Sequence, residues 1–272
     1  MVMGLSLHIG LNSVNPKNYA GWSGPLAACE LDAIDMQAVA KFNKFKSQVL
    51  LTKKATRKNV EAALAKAAST LKAGDILFLT YSGHGGQVPD RNGDESDGQD
   101  ETWCLYDGQI LDDELNFRYA QFRAGVRIFV LSDSCHSGSA TRNRLAEAQV
   151  ANVQMPPAVY RAMPREQAIS AYMANRDFYD AIQTNKDLKN PEVKASVLLI
   201  SGCQDSQLSL DGTFNGLFTG TLKSAWNGGA FKGDYRKFHK AIVNQMPPEQ
   251  TPNYFFIGGA NKAFEAQKPF SI

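Results

Sequence analysis

Two residues with complementary chemistry, His84 and Cys135, each follow an apolar run of the sequence. His84 lies in the segment YSGHGG that begins at residue 81, and Cys135 lies in the segment DSCHSG that begins at residue 133. A free thiol has a pKa of about 8.5 and is mostly protonated at neutral pH, so a nearby imidazole that takes its proton makes it a nucleophile. The pair therefore predicts a cysteine–histidine dyad in which His84 later returns the proton to a leaving amine.

Two backbone N–H groups beside this pair are candidates for stabilising negative charge on a substrate. The glycines next to His84 let a substrate backbone approach closely, and the N–H groups of Gly85 and Cys135 can then point at its carbonyl oxygen. His136 is a second histidine beside the thiol, but it directly follows Cys135 in sequence and is expected to point elsewhere. We therefore predict an oxyanion hole formed by Gly85 and Cys135, with His84 as the base.

The elements that must position these residues are predicted from the apolar pattern. Continuous apolar runs at residues 76–81, 126–131 and 196–200 are typical of strands covered on both faces, and residues 5–11 and 48–51 indicate two further strands. Helical patterns lie between them, as after Pro25, after the N-cap Thr56, and at 113–122, 164–182 and 216–226. This alternation predicts an α/β domain with a mainly parallel sheet, whose strands deliver both loops to one edge.

Two segments interrupt the pattern. Residues 87–114 are acidic and rich in glycine, and residues 139–195 are mostly polar and contain four prolines, at 156, 157, 164 and 191. The second segment is longer than a connection between two strands requires, so we expect it to have a functional role or to be mobile.

The composition excludes several classes of protein. Hydrophobic residues make up 43% of the chain and charged residues 21%, and the formal net charge of +2 gives no reason to expect nucleic acid or an anionic membrane as a partner. No apolar run approaches the roughly 20 residues that a membrane-spanning helix needs. The four cysteines are scattered and form no C-x-x-C pair, which favours a reducing, cytoplasmic location.

At the histidine and cysteine motifs the chain resembles the caspase-like cysteine peptidases, and among them the metacaspases and bacterial orthocaspases. Three further segments are similar to the family's motifs in the family's order: ACELDA from residue 28, ILDDEL from residue 110 and ISGCQDSQ from residue 200. The resemblance implies the caspase–hemoglobinase fold, with a central sheet of about six strands and helices on both faces. It further implies one peptidase domain over 1–272, with a large-subunit part (1–138), a linker (139–195) and a small-subunit part (196–272).

The resemblance also implies cleavage of peptides and proteins after Arg or Lys. The residues that match the family's pocket for this basic side chain are Cys29, Asp32, Ser82 and Asp133, and Asp205 is a further candidate. Carboxylates suit the task, because a cation entering a cleft needs a compensating charge, which for Arg is ideally bidentate. Taken singly, Asp32 also fits a charge on a helix surface and Asp133 a turn-forming residue.

Calcium is the one cofactor that the resemblance raises. Asp100, Asp112 and Asp113 match three aspartates of a calcium cluster in many metacaspases, but the fourth position is Arg142, whose charge would repel a cation. The acidic segment also lacks the EF-hand pattern and is equally typical of a solvated loop. We therefore expect that no cofactor is required, with calcium kept as the alternative.

The linker carries many basic residues, which suggests a hypothesis of activation by cleavage. A peptidase that cuts after basic residues can cut itself there, or another protease or a regulatory partner can act on it. The basic residues are Arg142, Arg144, Arg161, Arg165, Arg176, Lys186, Lys189 and Lys194.

Three rival interpretations remain. A serine hydrolase is suggested by the HGG sequence at residue 84, but no G-x-S-x-G elbow accompanies it. A catalytically silent scaffold or adaptor of the same fold would show no fast-reacting thiol. A calcium-binding protein would bind calcium without cleaving basic peptides.

Overall fold

A computed structural model describes residues 2–93, 95, 97–135, 159–203 and 209–272. Its centre is a six-stranded sheet in the order β2-β1-β3-β7-β8-β9, in which the strand pairs are parallel except for the antiparallel pair β8–β9. The strands of this sheet are β1 (Gly4–Gly10), β2 (Lys46–Leu51), β3 (Ile76–Ser82), β7 (Arg127–Asp133), β8 (Ser196–Ser201) and β9 (Asn253–Ile257). The predicted α/β class with a mainly parallel sheet of about six strands is confirmed.

Helices connect the strands. Thr56 caps the second helix through a hydrogen bond that its side chain accepts from the N–H of Asn59, at 3.2 Å. The helices are α1 (Cys29–Phe42), α2 (Arg57–Thr70), α3 (Asp112–Ala120), α4 (Arg165–Ala174), α5 (Arg176–Gln183), α6 (Leu217–Trp226), α7 (Tyr235–Val243) and α8 (Lys262–Glu265). None of the helices in the described ranges is both long and apolar enough to cross a bilayer.

The sheet carries a hydrophobic core on each face, because alternate residues of a strand point to opposite sides. On one face Leu77, Leu79 and Val130 pack in a buried cluster with residues of α2 and α3. On the other face Phe78 and Phe129 pack with residues of α1, α6 and α7. Helices therefore cover both faces, which explains why the central strands are continuously apolar.

The register of β3 against β7 sets the position of the two motif loops. Ser82, the last residue of β3, pairs with Asp133, the last residue of β7. His84 and Cys135 each follow two residues later, so both loops leave the same edge of the sheet side by side. This edge is the usual location of ligand sites in parallel sheets.

The acidic segment after His84 forms regular structure that the sequence pattern did not indicate. Residues 85–111 contain a small antiparallel sheet in the order β4-β5-β6, with β4 (Gly85–Pro89), β5 (Gln99–Leu105) and β6 (Gly108–Leu111). Trp103 of β5 stacks on Tyr81 of β3 at a centroid distance of 4.5 Å. Long-range packing of this kind fixes the hairpins, and a local pattern does not reveal it.

The described part of the segment 139–195 is folded, and helices lie where the helical pattern at 164–182 predicts them. Residues 165–183 form α4 and α5, and Arg161 is fully buried, with 0% of its surface exposed. The reason is ionic, because the guanidinium of Arg161 lies among carboxylates in the interior. Arg142 and Arg144 lie outside the described residues.

Candidate active site

His84 is held at the end of β3 in one defined orientation. Its Nε2 lies 3.1 Å from the backbone oxygen of Gly24, and a carbonyl oxygen can only accept, so Nε2 carries the proton. In the neutral imidazole this leaves Nδ1 as the acceptor, and Nδ1 has no hydrogen-bond partner among the described residues. The ring is therefore arranged to take a proton at Nδ1.

The surroundings of His84 favour the neutral imidazole. Burial lowers the pKa of His84 from 6.5 to about 4, and the carbonyl of Gly24 opposes this shift. Trp22 packs against the ring at a centroid distance of 4.8 Å. Gly24 has a φ of +50°, and a Cβ there would lie 2.9 Å from the ring of His84, so this turn requires glycine.

Cys135 is fully buried next to a backbone segment of the small-subunit part. The N–H of Ser209 donates to its Sγ, and the Sγ lies 3.7 Å from the backbone oxygen of Ser209. The sulfur thus has a donor that stabilises negative charge on it, which a thiolate nucleophile needs.

Two N–H groups beside His84 and Cys135 converge on one carbonyl oxygen. Gly85 N–H donates to the backbone oxygen of Arg161 at 2.9 Å, and Cys135 N–H donates to the same oxygen at 3.0 Å. Two donors at this distance form the geometry that stabilises a developing oxyanion. The carbonyl that occupies this position belongs to a residue of the protein itself, Arg161.

The side chain of that residue lies among three carboxylates, which we call the acidic pocket (Asp32, Asp133 and Asp211). The Arg161 Nη2 atom lies 2.7 Å from Asp32 and 2.9 Å from Asp211, and Nη1 lies 2.7 Å from Asp133. Nη1 also donates to the hydroxyl of Ser82 at 2.8 Å. The guanidinium is therefore bound by its planar set of donors, as Arg-selective sites bind it.

Further donors hold the carboxylates of the acidic pocket in place. The Asn215 amide donates to Asp32 at 2.8 Å, and the backbone N–H of Ala27 donates to Asp211 at 2.7 Å. Asp133 accepts from the hydroxyls of Ser209 and Thr219 at 2.6 and 2.7 Å. Every carboxylate of the pocket therefore has hydrogen-bond partners besides Arg161.

Burial and mutual repulsion set the electrostatics of this pocket. Burial raises the pKa of Asp32, Arg161 opposes that effect and Asp133 adds to it. Burial alone would lower the pKa of Arg161, but the charges of Asp133 and Asp32 more than offset this effect. The pKa of Arg161 is therefore raised, and the guanidinium stays protonated. Burial also raises the pKa of the neighbouring Cys29 thiol to about 12, so Cys29 is a neutral lining residue.

The structure brings together Asp32, Ser82 and Asp133 around one guanidinium, and Cys29 lies within electrostatic range of it. Asp205 and His136 lie outside the described residues.

Sequence reasoning missed Asp211, the orienting carbonyl of Gly24, and Gly216. A Cβ at Gly216 would lie 2.5 Å from the Arg161 Cζ, so the absence of a side chain at Gly216 makes room for the guanidinium. Only the Gly-Pro and Asp-Gly turns at residues 24 and 211 mark these loops in the sequence, and a turn signal assigns no role.

The three aspartates that match the family's calcium cluster form what we call the second acidic group (Asp100, Asp112 and Asp113). Burial raises the pKa of Asp112 to about 8, and Asp113, Asp100 and Glu101 add to the shift, so the aspartates lie near one another. Asp112 lies at the start of α3, and the Asn92 amide donates to Asp113 at 2.8 Å. Over the described ranges, no group of three or more His, Cys, Asp or Glu side chains is arranged to hold a metal ion.

Comparison with known sequences identifies the family of the chain. The sequence model of the caspase domain matches residues 13–264. Metacaspase-1 of Schizosaccharomyces pombe is 31% identical over 81% of this chain and 58% of its own length, and metacaspase-1 of Coccidioides immitis is 32% identical over 87% and 58%. The chain thus spans less than two thirds of the length of these curated relatives.

Comparison with solved structures places the fold in the same group. A crystal structure of a protein from Geobacter sulfurreducens matches with a TM-score of 0.87 and 54% identity, over 99% of both chains. Caspase-1 from Spodoptera frugiperda shares the fold, with a TM-score of 0.54 at 10% identity over 94% of this chain and 86% of that one. The architecture is that of the caspase-like proteins. The chain belongs to the caspase-domain peptidase family, and the metacaspases are among its relatives.

Proposed function

We propose that the protein is a cysteine endopeptidase that cleaves peptide bonds after Arg or Lys, with Cys135 as nucleophile and His84 as acid and base. The observation that carries the proposal is the single residue that meets two requirements at once. The carbonyl oxygen of Arg161 accepts from Gly85 N–H and Cys135 N–H, while its guanidinium lies in the acidic pocket. A substrate arginine in this position would have its scissile carbonyl beside the thiol.

The mechanism follows from the orientation of His84. Nδ1, the acceptor nitrogen, takes the proton of the Cys135 thiol, and the sulfur attacks the carbonyl carbon. The N–H groups of Gly85 and Cys135 stabilise the oxyanion, which is worth about 3–4 kcal/mol for one such donor. His84 then gives its proton to the leaving amine, and water hydrolyses the thioester with His84 again acting as base.

The acidic pocket supports the preference for a basic side chain. Its carboxylates are buried, and a buried carboxylate without a partner cation costs several kcal/mol, so an Asp or an apolar side chain would bind poorly. Arg can contact Asp32 and Asp133 with different nitrogens, whereas Lys offers one ammonium. We therefore expect Arg to be preferred over Lys.

Activation through the linker is part of the proposal. The linker's basic residues fit the specificity that the acidic pocket supports, and either the protein itself or an upstream protease can act on them. A reducing compartment such as the cytoplasm would keep Cys135 as a thiol.

The test is hydrolysis of peptide reporters with Arg, Lys or Asp before the reporter group, by wild type and by the Cys135→Ala variant. We expect cleavage after Arg and Lys, none after Asp, and none by the variant. A wild-type chain that lacks a fast-reacting thiol and cleaves no reporter, before or after limited tryptic nicking of the linker, would instead be a scaffold.

A further inference from the structure

The stretch 159–163 lies across the candidate active site in an extended form and pairs on both edges. On one edge Arg161 N–H donates to the backbone oxygen of Ser209 at 3.0 Å, and Asp211 N–H donates to that of Val159 at 2.9 Å. This edge continues as an antiparallel bridge between Tyr160 and Leu210.

The other edge pairs with the loop that carries the histidine. Gly85 N–H donates to the backbone oxygen of Arg161, and Met163 N–H donates to the backbone oxygen of Gly85 at 2.7 Å. The stretch thus makes backbone hydrogen bonds on both edges and places one side chain in a pocket. Extended peptides bind to proteins in the same way when they add a strand to a sheet.

The bond between Arg161 and Ala162 lies at the reacting position. Its carbonyl oxygen is held by Gly85 N–H and Cys135 N–H. Ala162 packs in one buried cluster with Cys135, and its backbone opposes the lowering of the pKa of the His84 imidazole by burial. The acid that must protonate the leaving amine therefore lies beside the residue that would leave.

We infer that the stretch 159–163 is an internal substrate, which closes the active site in the intact chain until the protein cuts its own Arg161–Ala162 bond. This inference rests on the proposed function and names the bond and the occluding residue. The Arg161 side chain is fully buried and pairs with the carboxylates of the acidic pocket, so a substrate arginine cannot enter while the stretch is in place.

The reaction is balanced by water alone. The Cys135 sulfur bonds to the carbonyl carbon of Arg161 and its proton passes to His84, then the C–N bond breaks as His84 protonates the nitrogen of Ala162. Water hydrolyses the thioester, which leaves a carboxylate on Arg161 and restores the thiol. Cleavage separates Arg161 from Ala162, so the cut end can leave the site.

The other arginines of the described linker are poorly placed for this first cut. Arg165 and Arg176 are the first residues of α4 and α5, and both are exposed. Cleavage there would require local unfolding of a helix, whereas Arg161 is already extended.

The first test maps the cut by mass spectrometry of the full chain after expression. We expect a fragment that begins at Ala162, its absence in Cys135→Ala and in Arg161→Gln, and slower formation in Arg161→Lys, which keeps the charge. The matched control Arg165→Gln should be cut as wild type. Because the reaction is intramolecular, its rate constant should not change over a roughly hundredfold dilution. A first cut at another residue would overturn the inference.

The second test measures occlusion without cleavage. A fluorescent peptide amide with a carboxyl-terminal Arg is titrated against Cys135→Ala and against Cys135→Ala combined with Arg161→Gln, after thermal melting has shown that both are folded. If the stretch fills the site at least about nine-tenths of the time, the double variant should bind at least about tenfold more tightly. Equal affinities would overturn the inference.

The two tests separate this inference from the proposed function. If the wild type hydrolyses Arg reporters while it stays uncut at Arg161, the proposed function stands and the inference fails. The same holds if the two Cys135→Ala proteins, with and without Arg161, bind the peptide equally. If a folded Arg161→Gln variant hydrolyses no Arg reporter although its own arginine no longer occupies the acidic pocket, the proposed function itself is lost.

Discussion

The acidic pocket and the second acidic group each contain three aspartates, but their charges are balanced differently. In the pocket every carboxylate lies within 2.9 Å of the Arg161 guanidinium, and Asp32 and Asp133 also accept from nearby side chains. In the second group the Oδ1 atom of Asp112 is buried with no hydrogen-bond partner among the described residues, and its pKa rises to about 8. Clustering of aspartates in a sequence therefore says little, whereas the donors and cations around them identify a binding site.

Replacing one aspartate by asparagine in each cluster should produce the largest difference in kcat/KM between two matched variants. We expect Asp32→Asn to lower kcat/KM for an Arg reporter by at least about 30-fold, because removing one partner of a buried charge pair costs about 2–5 kcal/mol. Asp112→Asn, the matched change in the second acidic group, should alter it by less than about threefold. Similar losses in both variants would show that the two clusters act as one site.

The space in the acidic pocket provides the next test. Gly216→Ala puts a Cβ where the guanidinium lies, and we expect kcat/KM for Arg reporters to fall by about 10- to 100-fold. Its φ of −58° suits alanine, so the backbone should tolerate the change. Gly220→Ala, one turn further along α6, meets only the Asn215 Cβ at 3.6 Å and should leave hydrolysis unchanged. Equal activity of both variants would place the substrate side chain elsewhere.

Uncompensated burial, as at Asp112, also occurs at a histidine. Burial lowers the pKa of His8 from 6.5 to about 3, although its Nδ1 contacts the hydroxyl of Thr80 at 3.0 Å. Below pH 6.5 His8 binds a proton in the unfolded chain but stays neutral in the folded chain. The contribution of His8 to the free energy of unfolding is therefore present above pH 6.5 and is lost as the pH falls towards 3. We expect a slope of about 1.4 kcal/mol per pH unit from this residue.

Denaturant unfolding at several pH values measures this contribution. His8→Asn keeps a group that can bond Thr80 but does not titrate, so its unfolding free energy should depend less steeply on pH between 6.5 and 4. Identical slopes for wild type and variant would mean that the buried imidazole accepts a proton without cost.

Calcium should have the smallest effect. The second acidic group gives a cation a buried, largely protonated Asp112 in place of several free oxygens, so we expect 1 mM calcium or a chelator to change hydrolysis of Arg reporters by less than about twofold. Calcium binding by calorimetry that Asp112→Asn abolishes, together with strong activation, would contradict the contrast between the two clusters.

The sequence was sufficient to predict the fold and the two loops that carry the candidate site, because both rest on local signals. Apolar runs identify buried strands, and glycine-rich turns after two of them indicate loops at one edge of the sheet. The hairpins of 85–111 and the burial of Arg161 were not predictable, because they depend on contacts between distant segments. Asp211 reaches Arg161 from 50 positions along the chain, and no periodicity encodes such a contact.

The orientation of the base depends on an oxygen of the main chain. Replacing a side chain cannot delete the carbonyl of Gly24, so the tautomer of His84 should survive most point substitutions in its neighbourhood. A change in the length of the loop before α1 would instead carry that oxygen away and let the ring turn over. We therefore expect catalysis by this protein to tolerate substitutions in this loop outside Gly24 and not to tolerate insertions and deletions there.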